Sequence, residues 1–509
     1  MASSEPKLEN SEKIEEKELL APKSVKIIDP VEAQLTLGEC KEDDPAMSRI
    51  ALKVYPRRWL VLLIVALLNN ANTMTWISFA PVANHVDIFY HHANATNYFS
   101  IVYMLCTIPV GIFAMWAGRH FGLRWAILVA AWANGIGAAI RFSSSFVTPE
   151  YRFIVGITGQ GIAALAYPFI MFLPTKVAAA WFPDNQRGLA TTIGVMANPL
   201  GVLLANLISP RVVTDPSHLI YLNAVIAMPG IIICILATLV INRSEPKLPP
   251  TVSAGQPYFE FLKGLQVCFT SREYILLLLV MGGGIGMFNC LYTIIQQLLC
   301  PSGYSNTFSG ICAALMIIGG VCGATAAGIF VDKTKKYEEA MKVSMALAVV
   351  FGLGFLQLVL HRDLPALILI DCFLFGVFGL ASYPVGLELS AECTFPVSET
   401  TSTGLIVLSG QVQSVIYLSV MTVFSKPLQP DYMKYQVCSL PSQSDADSVT
   451  AKDMTFSVIV MSIIASLLVL ILVIFFHPKY RRMEAEKGLN MTNTNKNGLK
   501  VAEEPLDNL

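Results

Sequence analysis

Residues 328–336 read Gly328-Ile-Phe-Val-Asp332-Lys333-Thr334-Lys335-Lys336, and they close an apolar run that starts near residue 308. About 20 apolar residues in a row suffice to carry a helix across the hydrocarbon core of a bilayer. The abrupt change from Ile-Phe-Val to one acid and three lysines marks the water boundary. The expectation is a spanning helix that ends on a short basic loop. Gly328 should let a neighbouring helix approach, Asp332 should meet a helix N-terminus or an arginine, and Lys333 and Lys336 should face lipid headgroups. These four residues are candidates for controlling a conformational change.

The same alternation of apolar run and polar loop recurs along the chain. Candidate spans are 58–83, 98–118, 124–142, 153–175, 188–209, 218–241, 274–299, 308–331, 339–360, 364–388, 400–424 and 455–477. The fold class expected is an all-α membrane protein with twelve transmembrane helices. Composition agrees: 54% of residues are hydrophobic and 14% charged, against about 25% charged in soluble domains. The expected organisation is a polar tail (1–55), a six-helix half (56–242), a linker (243–273), a second six-helix half (274–477) and a second polar tail (478–509). Both tails read as disordered. Tyr258, Phe261, Leu262 and Leu265 recur at helical spacing in the linker, as in a short interfacial helix.

Several functions are disfavoured. A net charge of −1 offers no basic face for nucleic acid. Eleven cysteines lie mostly in apolar runs, with no CxxC pair and no zinc spacing, so no metal and no cofactor is expected. His-Glu-x-x-His, Gly-x-Ser-x-Gly and paired intramembrane aspartates are absent, so no enzyme is expected. The partners expected are a small-molecule solute and the lipid bilayer.

An even number of spans puts both tails on one side. Arg57, Arg58, Arg119, Arg124, Arg187, Lys333, Lys335, Lys336, Lys342, Lys479, Arg481 and Arg482 crowd that side, which makes it cytoplasmic. The sequon Asn94-Ala-Thr96 then falls in the first outer loop, where glycosylation is possible. Cys300 and Cys438 both fall in outer loops, where a bridge between them would survive. Glu15-Glu-Lys-Glu-Leu-Leu20 has the form of an acidic dileucine sorting signal, so plasma and endolysosomal membranes both stay open.

One spacing relates the two halves. Phe182-Pro183 and Phe395-Pro396 are separated by an offset of 395 − 182 = 213 in the numbering. Arg119 and Asp332, in the loops after the second and eighth spans, share that offset. The first-half copy of the basic loop reads Trp116-Ala-Gly-Arg-His-Phe-Gly-Leu-Arg124, with Arg119 at the acidic position. The same offset carries Trp76 onto Asn289 and Asn198 onto Gln411. These four fall in spans one, seven, five and eleven, where repeat-built carriers place a solute near the midplane. Asn72 and Gln296 extend the polar sides of spans one and seven. Trp76, Asn72, Asn198, Asn289, Gln296 and Gln411 are therefore the candidate substrate-binding residues.

The Gly328–Lys336 loop resembles the signature loop of the major facilitator superfamily. Tyr55-Pro-Arg-Arg-Trp59, Trp76-Ile-Ser-Phe-Ala-Pro81, Ala180-Trp-Phe-Pro183, Asn198-Pro-Leu-Gly201 and Glu392-Cys-Thr-Phe-Pro-Val397 are similar to solute carrier family 49, the feline leukaemia virus subgroup C receptor-related transporters. The resemblance covers roughly residues 55–482. It implies carriage of choline, ethanolamine or haem. A choline site needs aromatic faces around the ammonium. Trp76 matches the family's first-span tryptophan and Gln411 its eleventh-span glutamine. Pro199 and Asn289 replace the family's fifth-span glutamine and seventh-span tyrosine, which exchanges an aromatic for an amide and favours a more polar solute.

Ion-coupled pumps use buried ionisable relays. Asp371 is the one acid placed well inside an expected span, which favours gradient-driven uniport. The leading expectation is a carrier of a small organic solute, an amine-type metabolite among the candidates. A haem or porphyrin carrier and a non-transporting receptor on the same fold are the alternatives.

Overall fold

The computed structural model describes residues 55–171, 173–244, 246, 261–395, 397, 399–429 and 452–481, all within the compact unit Ile50–Leu509. Both tails beyond these residues, the Glu15–Leu20 motif, Tyr258 and Cys438 lie outside the described residues. Among those described, twelve helices are long and apolar enough to cross a membrane. They contain α1 (Arg57–Ile77), α2 (Ala95–His120), α3 (Gly122–Ser143), α4 (Pro149–Ala164), α5 (Asp184–Val212), α6 (Leu219–Val240), α7 (Arg272–Leu299), α8 (Asn306–Thr334), α9 (Tyr337–Leu358), α10 (Pro365–Thr394), α11 (Glu399–Val423) and α12 (Thr455–Phe475). Helices satisfy their own backbone groups, which a bilayer cannot do for them. The one strand ladder described is a short antiparallel contact, Lys426 with Asp453 and Pro427 with Lys452, outside the spans.

Local chemistry sets the helix ends. Ser271 and Ser305 accept the backbone N–H groups of Tyr274 and Phe308 at the starts of α7 and α8. Pro149 and Pro365 open α4 and α10, where a missing N–H costs nothing. The first span runs on to Phe89 rather than stopping near residue 83. Pro81 interrupts it, but a short turn (Ala80–Val82) and a helix (Ala83–Phe89) continue it. Asn84, His85 and Asp87 on that extension are buried by neighbouring helices, which hydropathy could not foresee. The fourth span is also broken: Tyr167–Ile170, with Pro168 in its first turn, and Leu173–Trp181 follow α4. In the linker, the helix Phe261–Thr270 buries Gly264 and Cys268, whereas Leu262 points outward.

The packing repeats. In the N-terminal half α1 packs on α5, α2 on α4 and α3 on α6; in the C-terminal half α7 packs on α11, α8 on α10 and α9 on α12. Between the halves α5 meets α8 and α2 meets α11, as a twofold relation requires. The starts of the first five helix pairs keep the sequence offset to within a helical turn, as when Arg57 and Arg272 open α1 and α7 and Ala95 and Asn306 open α2 and α8, whereas Leu219 of α6 and Thr455 of α12 do not. Gly122 and Lys335 obey the offset without deviation, and both turn the chain through a left-handed backbone, at φ 82° and 56°. The degenerate first-half loop thus keeps the turn even though it has lost the acid.

Gly328 does not serve the purpose expected of it. A Cβ there would meet nothing within 4 Å. The close approach lies on another face of α8: a Cβ on Gly323 would fall 1.8 Å from the Val377 carbonyl oxygen, and one on Gly376 of α10 2.0 Å from that of Met316. Lys333 and Lys336 are exposed, and the Asp332 side chain lies outside the described residues. Two buried apolar clusters stack along the helix axes, and each draws on both halves. We call the end that carries Arg57 and Phe475 the near end, and the opposite one the far end.

Candidate functional site

Two seams of side-chain amides and hydroxyls hold the walls of a central cavity. On the N-terminal side, Asn69 donates to the Gly194 carbonyl (3.0 Å) and Asn70 to that of Ala197 (3.2 Å). Asn198 donates to Thr73 Oγ1 (2.7 Å) and Asn69 Oδ1 (3.3 Å), tying α5 to α1. On the C-terminal side Asn289 donates to Ser414 Oγ (3.0 Å), Ser409 to the Leu278 carbonyl (3.0 Å) and Gln413 to that of Leu279 (3.1 Å), tying α7 to α11. Buried polar groups must be paired, and here each pair crosses between helices.

Between the seams lies a cavity of about 330 Å³. Trp76, Asn198 and Asn289 line it, together with Asn69, Tyr167 and Tyr292. Among the described residues, no aspartate, glutamate, histidine, lysine or arginine lines it. Asn72, Gln296 and Gln411 do not reach it, although all three are buried. Asn72 instead bonds Asn134 (2.8 Å) and the Ala163 carbonyl (3.0 Å), and accepts the Tyr103 hydroxyl. Tyr103 stacks behind Trp76, with ring centroids 6.1 Å apart and planes 23° from parallel. Asn72 therefore acts on the cavity through Tyr103, not by touching its contents.

Two cavity donors have no partner. Trp76 Nε1 and Tyr292 Oη are buried and make no hydrogen bond among the described residues. A buried donor without an acceptor costs about 1–3 kcal/mol. Both atoms are closed to water, so a solute acceptor recovers that cost only where these side chains turn toward it, while the Trp76 ring suits an apolar or cationic group.

Gln296 has a different place. It donates to Asn306 Oδ1 (3.0 Å), and Asn306 Nδ2 donates to Asn84 Oδ1 (2.9 Å), so the chain of amides joins the two halves at the far end. A second link runs from Asn97 of α2 to Gln297 of α7 (2.8 Å and 3.3 Å) and to Thr422 of α11 (3.1 Å). A third is Lys452 Nζ to Asn94 Oδ1 (2.6 Å). Asn94 keeps its Nδ2 out of any hydrogen bond among the described residues, while Thr96 is buried. Cys300 is disulfide-bonded.

The sequence reading missed two intramembrane charges. Asp87 lies on the extension of the first span and accepts the backbone N–H groups of Asn94 (3.1 Å) and Thr96 (3.4 Å), holding the start of α2. Among the described residues Arg141 is the largest fully buried side chain, at 1% exposure. It donates to Asn223 (3.2 Å), Gln160 (3.0 Å), Ser78 Oγ (2.7 Å) and the Thr75 carbonyl, and lies 3.7 Å over the Phe79 ring. It thereby holds the broken end of α1, one residue from Trp76. An arginine in an apolar run was the available signal.

The chain matches the Major Facilitator Superfamily model over residues 45–417. It is 60% identical to the uncharacterized protein B0416.5 of Caenorhabditis elegans, covering 88% of this chain and 89% of that one. It is 40% identical to solute carrier family 49 member A3 of Xenopus tropicalis, covering 87% of this chain and 92% of that protein. It is 28% identical to the human choline/ethanolamine transporter FLVCR2, over 72% of each chain. In structure it is similar to the inward open xylose transporter XylE of E. coli, with TM-score 0.61 at 13% identity over 83% of this chain and 97% of that one. Twelve spanning helices in two packed halves, a cavity between them and these relatives place the chain in the major facilitator superfamily and, within it, in the transporters of solute carrier family 49.

Proposed function

We propose that this protein moves a small organic solute across a membrane by alternating access, as a uniporter. One observation carries the reading: a cavity between the two halves, free of charged side chains among the described residues, with two unpaired donors, Trp76 Nε1 and Tyr292 Oη, in its wall. Asn198 and Asn289 bridge helices and also face the cavity, so solute binding can be felt by both seams. The amide links at the far end hold the halves together on that side, which is the arrangement of a carrier closed there. Asp371 has one buried carboxyl oxygen without a hydrogen bond, but it is not among the cavity's lining residues. With no acidic or basic side chain lining the cavity among the described residues, movement follows the solute gradient.

The exposed Lys333, Lys335 and Lys336 favour a cytoplasmic near end, as basic loops do. The far end, with Asn94 and Cys300, then faces the outside or an organelle lumen. An amine-type metabolite fits the cavity, since an aromatic face can take the ammonium and the unpaired donors can take a hydroxyl. The experiment is uptake of radiolabelled amines into proteoliposomes, with and without an imposed pH gradient. Saturable uptake indifferent to the pH gradient is expected. Strict dependence on the pH gradient would replace uniport by proton coupling, and no saturable uptake of any amine would remove that solute class.

A further inference from the structure

The two halves share an architecture but not an interior. In the N-terminal half the space among α1, α3, α4 and α6 is filled by Arg141, Asn134, Gln160 and Asn223, each at most 1% exposed. The repeat offset sets Gly354 opposite Arg141, Leu347 opposite Asn134 and Phe373 opposite Gln160. Three of the plug's four positions are thus non-polar in the C-terminal half. The cavity is lopsided to match. Met345, Ala348 and Gly352 of α9 and Met461, Ala465 and Leu468 of α12 line it, whereas none of its lining residues comes from the counterpart helices α3 and α6.

We propose that this side chamber receives a hydrocarbon chain of the solute, whose polar head sits at Trp76, Tyr292 and Asn289. The proposal rests on the carrier reading above and narrows the solute to an amphiphile. An apolar void has no partner for water and accepts apolar guests. Ala348, Gly352 and Ala465 give it width, and Met345 and Met461 supply flexible, polarisable walls that adapt to chains of differing shape. The unpaired donors lie on the other side of the chemistry: they call for a head with an acceptor oxygen. A wholly polar metabolite would leave the chamber unfilled, and a wholly apolar one would leave Trp76 Nε1 and Tyr292 Oη unmet.

The test uses the full-length protein in lipid nanodiscs and N-alkyl-N,N-dimethyl-2-hydroxyethylammonium ions whose alkyl chains run from one to about eight carbons. Binding should tighten roughly fourfold per added methylene, the value set by burying one CH2, until the chamber is full. Ala465→Phe should end that gain at a shorter chain and change affinity for the methyl probe less than about twofold. Ala348→Leu provides a second, milder filling should Ala465→Phe fold poorly. Trp76→Ala should weaken every probe by one common factor. Binding of the methyl probe with no gain from longer chains would overturn the chamber and leave the amine carrier standing. A gain that persists unchanged in both filled variants would put the chain in the bilayer instead, and also overturn it. Chain-dependent binding that Trp76→Ala leaves unchanged would overturn the placement of the head at Trp76.

Discussion

Replacing Arg141 by methionine tests how the N-terminal half is held together. The guanidinium gives hydrogen bonds to Thr75, Ser78, Gln160 and Asn223, and all four acceptors are neutral. Interhelical bonds within membranes average about 0.6 kcal/mol and reach about 1.7 kcal/mol, so four at about 1 kcal/mol contribute about 4 kcal/mol. The Phe79 contact adds about 1 kcal/mol. Removing a buried charge returns part of this, about 2 kcal/mol, because desolvating an ion is costly. The net loss is about 3 kcal/mol. At about 2 °C per kcal/mol for a chain of this size, the unfolding temperature should fall by roughly 6 °C. Arg141→Lys should lose about half as much, since one ammonium cannot serve acceptors on α1, α4 and α6 together. The assay is thermal unfolding of the full-length protein in detergent at one fixed scan rate, because such unfolding is irreversible. Gln160→Leu placed on both backgrounds measures the coupling, which should reach about 0.5 kcal/mol or more for residues in one network. An Arg141→Met protein that melts within about 1 °C of the parent, or no coupling to Gln160, would refute the clamp.

Three further outcomes follow from the packing and the cavity. Gly323→Leu should abolish the folded protein, since the Val377 carbonyl occupies the place of its Cβ, whereas Gly328→Leu should leave yield and melting unchanged; size-exclusion profiles of both read this directly. Asn97→Leu with Thr422→Val removes the α2–α11 link and should raise labelling of a far-end cysteine by a membrane-impermeant thiol reagent severalfold, with no change as the contrary result. Trp76→Ala should lower uptake of an amine substrate at least tenfold, and Trp76→Phe should retain most of it if the ring face carries binding; equal loss in both would assign the role to Nε1 instead.

Amides show most clearly what a linear reading can and cannot see. Trp76, Asn198 and Asn289 were legible as a group because spans one, five and seven of a repeated chain must face one axis. Asn72 and Gln296 looked the same in sequence, yet one braces Tyr103 inside a half and the other ties the halves at the far end. Asn72 differs from Trp76 by about 40° of helix rotation, while Gln296 shares nearly the face of Asn289 but lies about two turns further along α7, and hydropathy resolves neither difference. Gly328 shows the same limit: its motif is visible, but only neighbouring atoms decide that Gly323 is where α8 and α10 touch.

Twelve membrane-crossing helices in two related halves are legible in the linear order of residues, because the cost of exposing polar groups to lipid acts on each segment separately and leaves its period in the composition. The tertiary structure alone decided which helix faces meet. It made Arg141 a clamp, left Trp76 Nε1 and Tyr292 Oη unpaired, and hollowed the C-terminal half where the N-terminal half is plugged. Those facts depend on contacts between residues far apart in the chain, and no local pattern records them.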